Sequence, residues 1–418
     1  KLAINGGEPV RKAKWPDMYP GGLLYGKEEI EAAIRVIEAK SPYRYYGEDV
    51  QFEVDGFERE MAEYIGTKYA IAVTSGSTAL SVALLALGVG PGTEVILPSL
   101  MWISDINAVV HARAIPVICD INDTWNMDPE SLERCITPRT KAIIAVHMAG
   151  TVSDMEAITK IAKKHGIPVL EDCSQASGAA INGKHVGSFG DIATFSLQLN
   201  KNFTTGEGGV ITTNSEDLFK KCMPLQDVGF ERGEDGVSAA KNSPFENFGI
   251  GCRMDEIRGA IARVQLKKLP QICDMMRKHQ RNIKNALADI PNIKWRRIVD
   301  PEGDTGYCIG WMHEDALTAK RFMEAMRKEG VPVNTPPGGV HQVRYMLTLL
   351  SKKPITTKGC PWQCPFNQES EMDYSDDKNR ISNDIFDRAL MLTMPPVLTE
   401  KDEQDIIKAF KKVAAEIL

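Results

Sequence analysis

The chain has no run of about eighteen apolar residues, the minimum for a membrane-crossing helix. Its opening stretch, Lys1 to Pro9, also lacks the apolar segment of a secretion signal. Both absences point to a cytoplasmic protein with no membrane partner. No stripe of Lys and Arg interrupts a balance of 50 basic against 56 acidic residues, and a net charge of -6 repels phosphate backbones, so nucleic acid is not expected as a partner. Nine cysteines scattered over 418 residues are too sparse for a disulfide framework and suit a reducing compartment. Cys360 and Cys364 stand in a loop containing Pro and Trp, without a second Cys/His pair at zinc-ligand spacing, so no metal site is expected. No internal repeat is visible.

With 43% hydrophobic and 25% charged residues the composition is that of an ordinary globular protein, and the length allows two or three folding units. Between residues 69 and 213, short β-branched runs alternate with helix-length amphipathic stretches, the pattern of an α/β fold with a mostly parallel sheet covered by helices. Seven strands are expected, at 70–74, 94–97, 115–120, 142–147, 168–171, 193–197 and 209–213. Helices are expected at 78–87, 103–113, 129–135 and 154–165, the last ending at Gly166. One or two long helices over 254–288 would bridge two domains, and a closing amphipathic helix spans 400–418. The expected division is an N-terminal arm over 1–25, suited to packing on a neighbour, a large domain over 26–280, and a smaller α+β domain over 281–418.

In such a sheet ligands bind beyond the carboxyl ends of the strands. After the first expected strand comes Ser75-Gly76-Ser77-Thr78, whose amides and hydroxyls could receive a phosphate at a helix N-terminus, or serve simply as a helix cap. Trp102 follows the second strand and could lie flat on a planar heterocycle or belong to the core. Asp172, with Gln175 three residues on, could hold a pyridine nitrogen protonated, although acidic strand ends are common. Ser196 ends another strand, and five residues later stands Lys201, ahead of Gly206-Glu207-Gly208-Gly209. A lysine that attacks a carbonyl must be neutral, which burial or nearby cations achieve, and the apolar, glycine-rich flanks of Lys201 suit that role. Spacing alone leaves a solvated-loop reading of Lys201 open, but phosphate site, stacking ring, nitrogen partner and amine occur in an order compatible with a pyridoxal-phosphate site.

At these residues the chain resembles the sugar aminotransferase family of fold-type I pyridoxal-phosphate enzymes, which includes aminohydroxybenzoate synthase and the aminocyclitol transaminases. The resemblance runs from Leu2-Ala3-Ile4-Asn5-Gly6-Gly7 to Arg253-Met254 and beyond, and its strongest signature is Ser196-x4-Lys201-x4-Gly206-Glu207-Gly208-Gly209. It implies phosphate contacts at Gly76, Ser77 and Ser196, ring stacking at Trp102, a pyridinium partner at Asp172, a contact to the phenolic oxygen at Gln175, and a Schiff base at Lys201. Ser77 replaces the usual Thr and keeps the hydroxyl. Gly251 replaces an Asn that in the family reaches the neighbouring subunit's phosphate.

The implied activity is a ping-pong transamination from glutamate or glutamine to a keto sugar linked to a nucleotide, or to a ketocyclitol, by a homodimer. Lys201 favours this over the dehydratase or lyase branch, whose members carry His at that position. A cofactor-binding sensor without acceptor chemistry is the other alternative. The resemblance also suggests substrate contacts at His341 and, from the Tyr43-Arg44-Tyr45-Tyr46-Gly47 loop, at Tyr45, where that loop lines the partner's site. His147, at a strand end, reads as a structural residue.

Overall fold

The protein was analysed as a computed structural model that describes residues 1–232 and 247–418. Seven strands form its central sheet: β1 (Tyr69–Val73), β2 (Glu94–Pro98), β3 (Ile115–Cys119), β4 (Thr140–Val146), β5 (Val169–Asp172) and, after a short hairpin of β6 (Ala180–Ile181) and β7 (Lys184–His185), β8 (Ile192–Ser196) and β9 (Gly209–Thr213). The order is β1-β9-β8-β5-β4-β2-β3. Neighbours from β8 to β3 pair in parallel, while β9 lies antiparallel to both β8 and β1. The expected seven-stranded, mostly parallel α/β sheet is therefore present, with each strand within one residue of its expected bounds except β4, which begins two residues early.

Alternation along each strand buries both faces. Ile71 and Val73 of β1, Val95 and Leu97 of β2, and Ile144 and Val146 of β4 enter one core; Ala70 and Ala72, Ile96, and Ile143 and Ala145 enter the other. Helices on both faces explain the near-continuous apolar runs. Two helices precede the sheet, Lys27–Glu38 and Glu53–Ile65, and both pack on a 31-residue helix, Glu256–Ala286. Leu269, Ile272 and Met276 of this long helix join the second face of the sheet, whereas Ile283 enters a third core beside β10 (Lys294–Trp295), β11 (Cys308–Met312) and β12 (Ala389–Thr393). Those strands form a small antiparallel sheet.

Chain between β11 and β12 returns to the large sheet, where Val343, Met346, Trp362 and Phe386 pack on its first face. The first residues are sewn onto their own chain: Glu329 accepts from Ala3 N at 2.8 Å and from Val10 N at 3.0 Å, Arg11 pairs with Asp402, and Leu2 is part of the third core. Among the described residues no helix is long and apolar enough to cross a membrane.

Because every strand except β9 points the same way, the ends of β1, β2, β5 and β8 and the start of β9 gather on one edge. The pairing of Val73 and Ser196 with Gly209 shows it directly.

Candidate active site

A cavity of about 710 Å³ opens at that edge, within the range of small-molecule sites. Gly76, Ser77, Trp102, Asp172, Gln175, Ser196, Lys201 and His341 all line it. At one end the helix Gly76–Ala86 begins with a reciprocal cap. The Ser75 hydroxyl accepts from Thr78 N at 3.1 Å, and Thr78 Oγ1 accepts from Ser75 N at 3.0 Å. The amides of Gly76 and Ser77 are then left without an intrahelical acceptor, at the positive end of the helix dipole. A Cβ at Gly76 would stand 2.8 Å from Ser196 Cβ, so glycine is what lets this turn meet the end of β8. Ser77 Oγ and Ser104 Oγ lie 2.7 Å apart, adding a second hydroxyl beside it.

Trp102 caps the helix Ile103–His111 and is 42% exposed, so it is a wall of the cavity and not a core residue. Its ring lies 4.8 Å from that of His341, inclined at 56°. His341 is half-buried, and burial holds its imidazole below the ordinary range despite its Gly338 carbonyl partner, with Lys201 adding to the depression.

Asp172 ends β5 fully buried and accepts from Ser174 N at 3.0 Å. Gln175 accepts from Ala149 N at 3.4 Å. Lys201 sits in the bend after β8, where burial lowers its affinity for a proton while the carboxyls of Asp172 and Asp105 oppose the shift. Next to Asp172, Glu171 is held apart from the cavity: its carboxylate accepts from Phe189 N and Gly190 N at 2.7 Å and from Gly187 N at 2.9 Å, and lies 3.0 Å from His147 Nε2. His147 Nδ1 accepts from Ser153 N at 3.1 Å. With Cys173 these two side chains form a compact His/Glu/Cys group that could in principle take a metal ion. All three are buried, and His147 and Glu171 are hydrogen-bonded to the chain, as suits a structural joint.

Tyr45 does not line this cavity. It is buried against Arg232, whose guanidinium stands 4.0 Å above its ring, and its hydroxyl lies 3.5 Å from Gln226 Nε2. Gly251 is exposed, and a Cβ there would meet nothing closer than 3.4 Å, so sterics do not demand glycine at that position. Cys360 and Cys364 are free thiols.

Sequence reasoning passed over Ser104 and Asp105. Both occupy the first turn of the helix that Trp102 caps, where a serine and an aspartate look like ordinary capping and dipole-compensating residues.

The residues present fit pyridoxal phosphate. A helix N-terminus with hydroxyls suits the phosphate, a buried carboxylate the ring nitrogen, an aromatic wall the ring, and a lysine depressed toward neutrality the aldehyde.

Comparison with known proteins agrees with the site. Over 217 residues, 51% of this chain and 56% of the other, the sequence is 46% identical to the GDP-perosamine synthase of Caulobacter vibrioides, so the match spans little more than half of that relative. Over 294 residues, 69% of this chain and 68% of the other, it is 34% identical to the L-glutamine:2-deoxy-scyllo-inosose aminotransferase of Streptoalloteichus tenebrarius. The solved 3-amino-5-hydroxybenzoic acid synthase superposes with a TM-score of 0.79 at 26% identity, covering 97% of this chain and 100% of that one. Residues 25–346, the stretch that carries every cavity residue named above, match the model of one family, and the chain belongs to it: the DegT/DnrJ/EryC1/StrS aminotransferase family.

Proposed function

We propose that the protein is a pyridoxal-phosphate-dependent aminotransferase that moves an amino group from glutamate or glutamine to a keto group on a nucleotide-linked sugar or a cyclitol. The observation that carries this reading is the convergence of the Lys201 amine, the buried Asp172 carboxylate and the open helix N-terminus at Gly76 on one cavity. When bound, pyridoxal phosphate supplies an electron-withdrawing ring that acidifies the donor's Cα–H bond and stores the amino group between the two half-reactions.

The chain's own residues do the rest. The amides of Gly76 and Ser77 with the hydroxyls of Ser77 and Ser196 hold the phosphate. Trp102 covers the ring, Asp172 keeps a proton on its nitrogen, and Gln175 orients the phenolic oxygen. Lys201 Nζ, lowered toward neutrality by burial, would take and hold the proton of the donor's Cα. The cavity lining also includes Asn200, Asn334, Thr335 and His341, groups that can hydrogen-bond to the hydroxyls of an acceptor.

A homodimer in which the loop carrying Tyr45 faces the partner's cavity, working in the cytoplasm, is part of the same proposal. Tyr45 and His341 are its candidate substrate contacts.

Lys201→Ala tests the core of it. Wild-type protein loaded with pyridoxal phosphate should convert glutamate or glutamine to its oxoacid in one equivalent per site, and the variant should release none. Turnover by Lys201→Ala overturns the role of the lysine. Failure of the wild type with every amino donor would favour a cofactor-binding sensor. Keto-sugar nucleotides and ketocyclitols, offered separately to the aminated wild type, distinguish the acceptors.

A further inference from the structure

Asp105 lies behind the cavity lining, against Asp172 and Lys201, and the proposed chemistry leaves it unused. It stands in the first turn of the helix Ile103–His111, three residues after Trp102, and is wholly inaccessible to solvent. Neither of its carboxyl oxygens has a hydrogen-bond donor from the protein. Facing it are Asp172, at the end of β5 and within hydrogen-bond reach, and the Lys201 amine from the bend after β8.

Two ionised carboxylates cannot bond to each other, and a buried carboxylate with no donor is among the most costly groups a fold can hold. One proton between them removes both problems, because a carboxylic acid donates to a carboxylate in a short, charge-assisted bond. Asp172 already accepts from Ser174 N at 3.0 Å, while Asp105 has no donor of its own, so the proton belongs on Asp105. Burial, the Asp172 charge and the bond to Asp172 all push the Asp105 carboxyl far above the ordinary carboxylate range, and Lys201 and the residue's own amide only partly offset them.

We propose that Asp105 is a positioning residue that stays protonated at neutral pH and donates its proton to Asp172, fixing that carboxylate in place and making it a weaker base toward the cofactor's ring nitrogen. A weaker base leaves the shared proton on the ring, which is where electron withdrawal needs it. The same proton leaves Lys201 facing one negative charge instead of two, so its amine reaches neutrality more easily. The inference rests on Asp172 being the partner of the ring nitrogen, and its tests are divided accordingly.

The first test uses the full-length protein without cofactor. Infrared difference spectra at pH 7 between wild type and Asp105→Asn should contain the carbonyl stretch of a protonated carboxyl group, present in the wild type and lost in the variant. A second reading comes from denaturation as a function of pH. A folded-state pKa raised above the unfolded one means that the folded chain holds a proton the unfolded chain has lost. The wild type therefore loses stability relative to Asp105→Asn as pH rises above the ordinary carboxyl range, with the ratio of unfolding constants changing roughly tenfold per pH unit. If that ratio is flat and the carbonyl band is missing, Asp105 is ionised and the proposal falls. If the Asn variant does not fold, Asp105→Ser and the deuterium shift of the wild-type band give the same decision.

The loaded enzyme supplies the functional part. Asp105→Ala should move the pH at which the bound cofactor's visible absorbance titrates and should lower kcat more than it raises KM, while Asp105→Asn, which still donates a hydrogen bond, should restore the spectrum. An Asp105→Ala spectrum and kcat like those of the wild type overturn the positioning role. Asp172→Asn is the control for the underlying reading: if it leaves the cofactor spectrum unchanged, Asp172 is not the ring's partner, and the cofactor-free measurements still decide where the Asp105 proton resides.

Discussion

Glu171→Gln is the sharpest test of how the fold holds Asp172 in place. In the wild type one buried carboxylate accepts from three backbone amides, those of Gly187, Phe189 and Gly190, and stands 3.0 Å from the His147 imidazole. Burial alone would push the Glu171 carboxyl up, but the His147 bond and the amides outweigh it and leave the group below its ordinary value. An amide side chain of the same shape has one acceptor atom, so it can keep the two bonds of the Oε1 position but must turn an NH2 group toward the Gly187 amide. Hydrogen bonds to a charged group contribute about 1.5–3 kcal/mol each, and a stranded buried amide costs about 1–3 kcal/mol. Loss of charge also removes a desolvation penalty, and the net expected destabilisation is about 3–5 kcal/mol, the range seen when one partner of a buried charged pair is removed. Urea denaturation of the cofactor-free protein at pH 7 measures it. Because the folded pKa is depressed, the contribution is complete above the ordinary glutamate range near pH 4.3 and is lost as pH falls through the folded value, so the gap between wild type and variant should hold steady from about pH 5 to 8 and close in acid. A loss below about 1 kcal/mol, or a gap that widens in acid, would refute the reasoning.

Gly76→Ala should weaken cofactor binding more than it weakens the fold. Its Cβ would come 2.8 Å from Ser196 Cβ, and overpacking of this kind costs about 1–3 kcal/mol, here directed at two residues proposed to hold the phosphate; titration with pyridoxal phosphate against a thermal melt separates the effects. Arg296→Met should destabilise by about 3 kcal/mol or more, since the guanidinium is buried, stacks 4.5 Å from the Trp125 ring centroid and donates to the carbonyls of Thr124, Met148 and Ala149, all of which the thioether leaves unsatisfied. Denaturation midpoints check it, and a loss confined to the Gln175 side of the cavity would show as altered cofactor absorbance, because Ala149 also donates to Gln175.

Much of the large sheet was legible because its physics is local. Each of the seven strands is a short apolar run buried on both faces and closed by a turn, and the six that point one way require the helices that separate them. The small sheet was less legible. β10 has two residues, β11 includes Gly310, and β12 follows a helix with no turn residue between them, so their strand character comes from pairing with one another, β11 with β12 across some 80 residues, and not from their own pattern. Partition of the chain into cores was equally non-local. Nothing in the composition of 343–386 announces that Val343, Trp362 and Phe386 leave the small sheet and cover the large one. The N-terminal arm, read as a segment for a neighbour, also finds acceptors on Glu329 and Asp402 of its own chain.

The site divides along the same line. Gly76, Asp172, Ser196 and Lys201 could be found because strand ends are found from periodicity, and the strand ends of a parallel sheet must share an edge. Asp105 belongs to no strand end and no motif. Its meaning arises only when the fold brings the first turn of the helix Ile103–His111 against Asp172, turning a residue that looks like a solvent-facing dipole partner into a fully enclosed acid against another acid. A helix-capping aspartate in water is stabilised by its charge; the same residue in this interior is stable only without it. The difference between the two lies in burial, and burial is set by tertiary packing, so Asp105 is the position at which local reading and tertiary context most directly disagree.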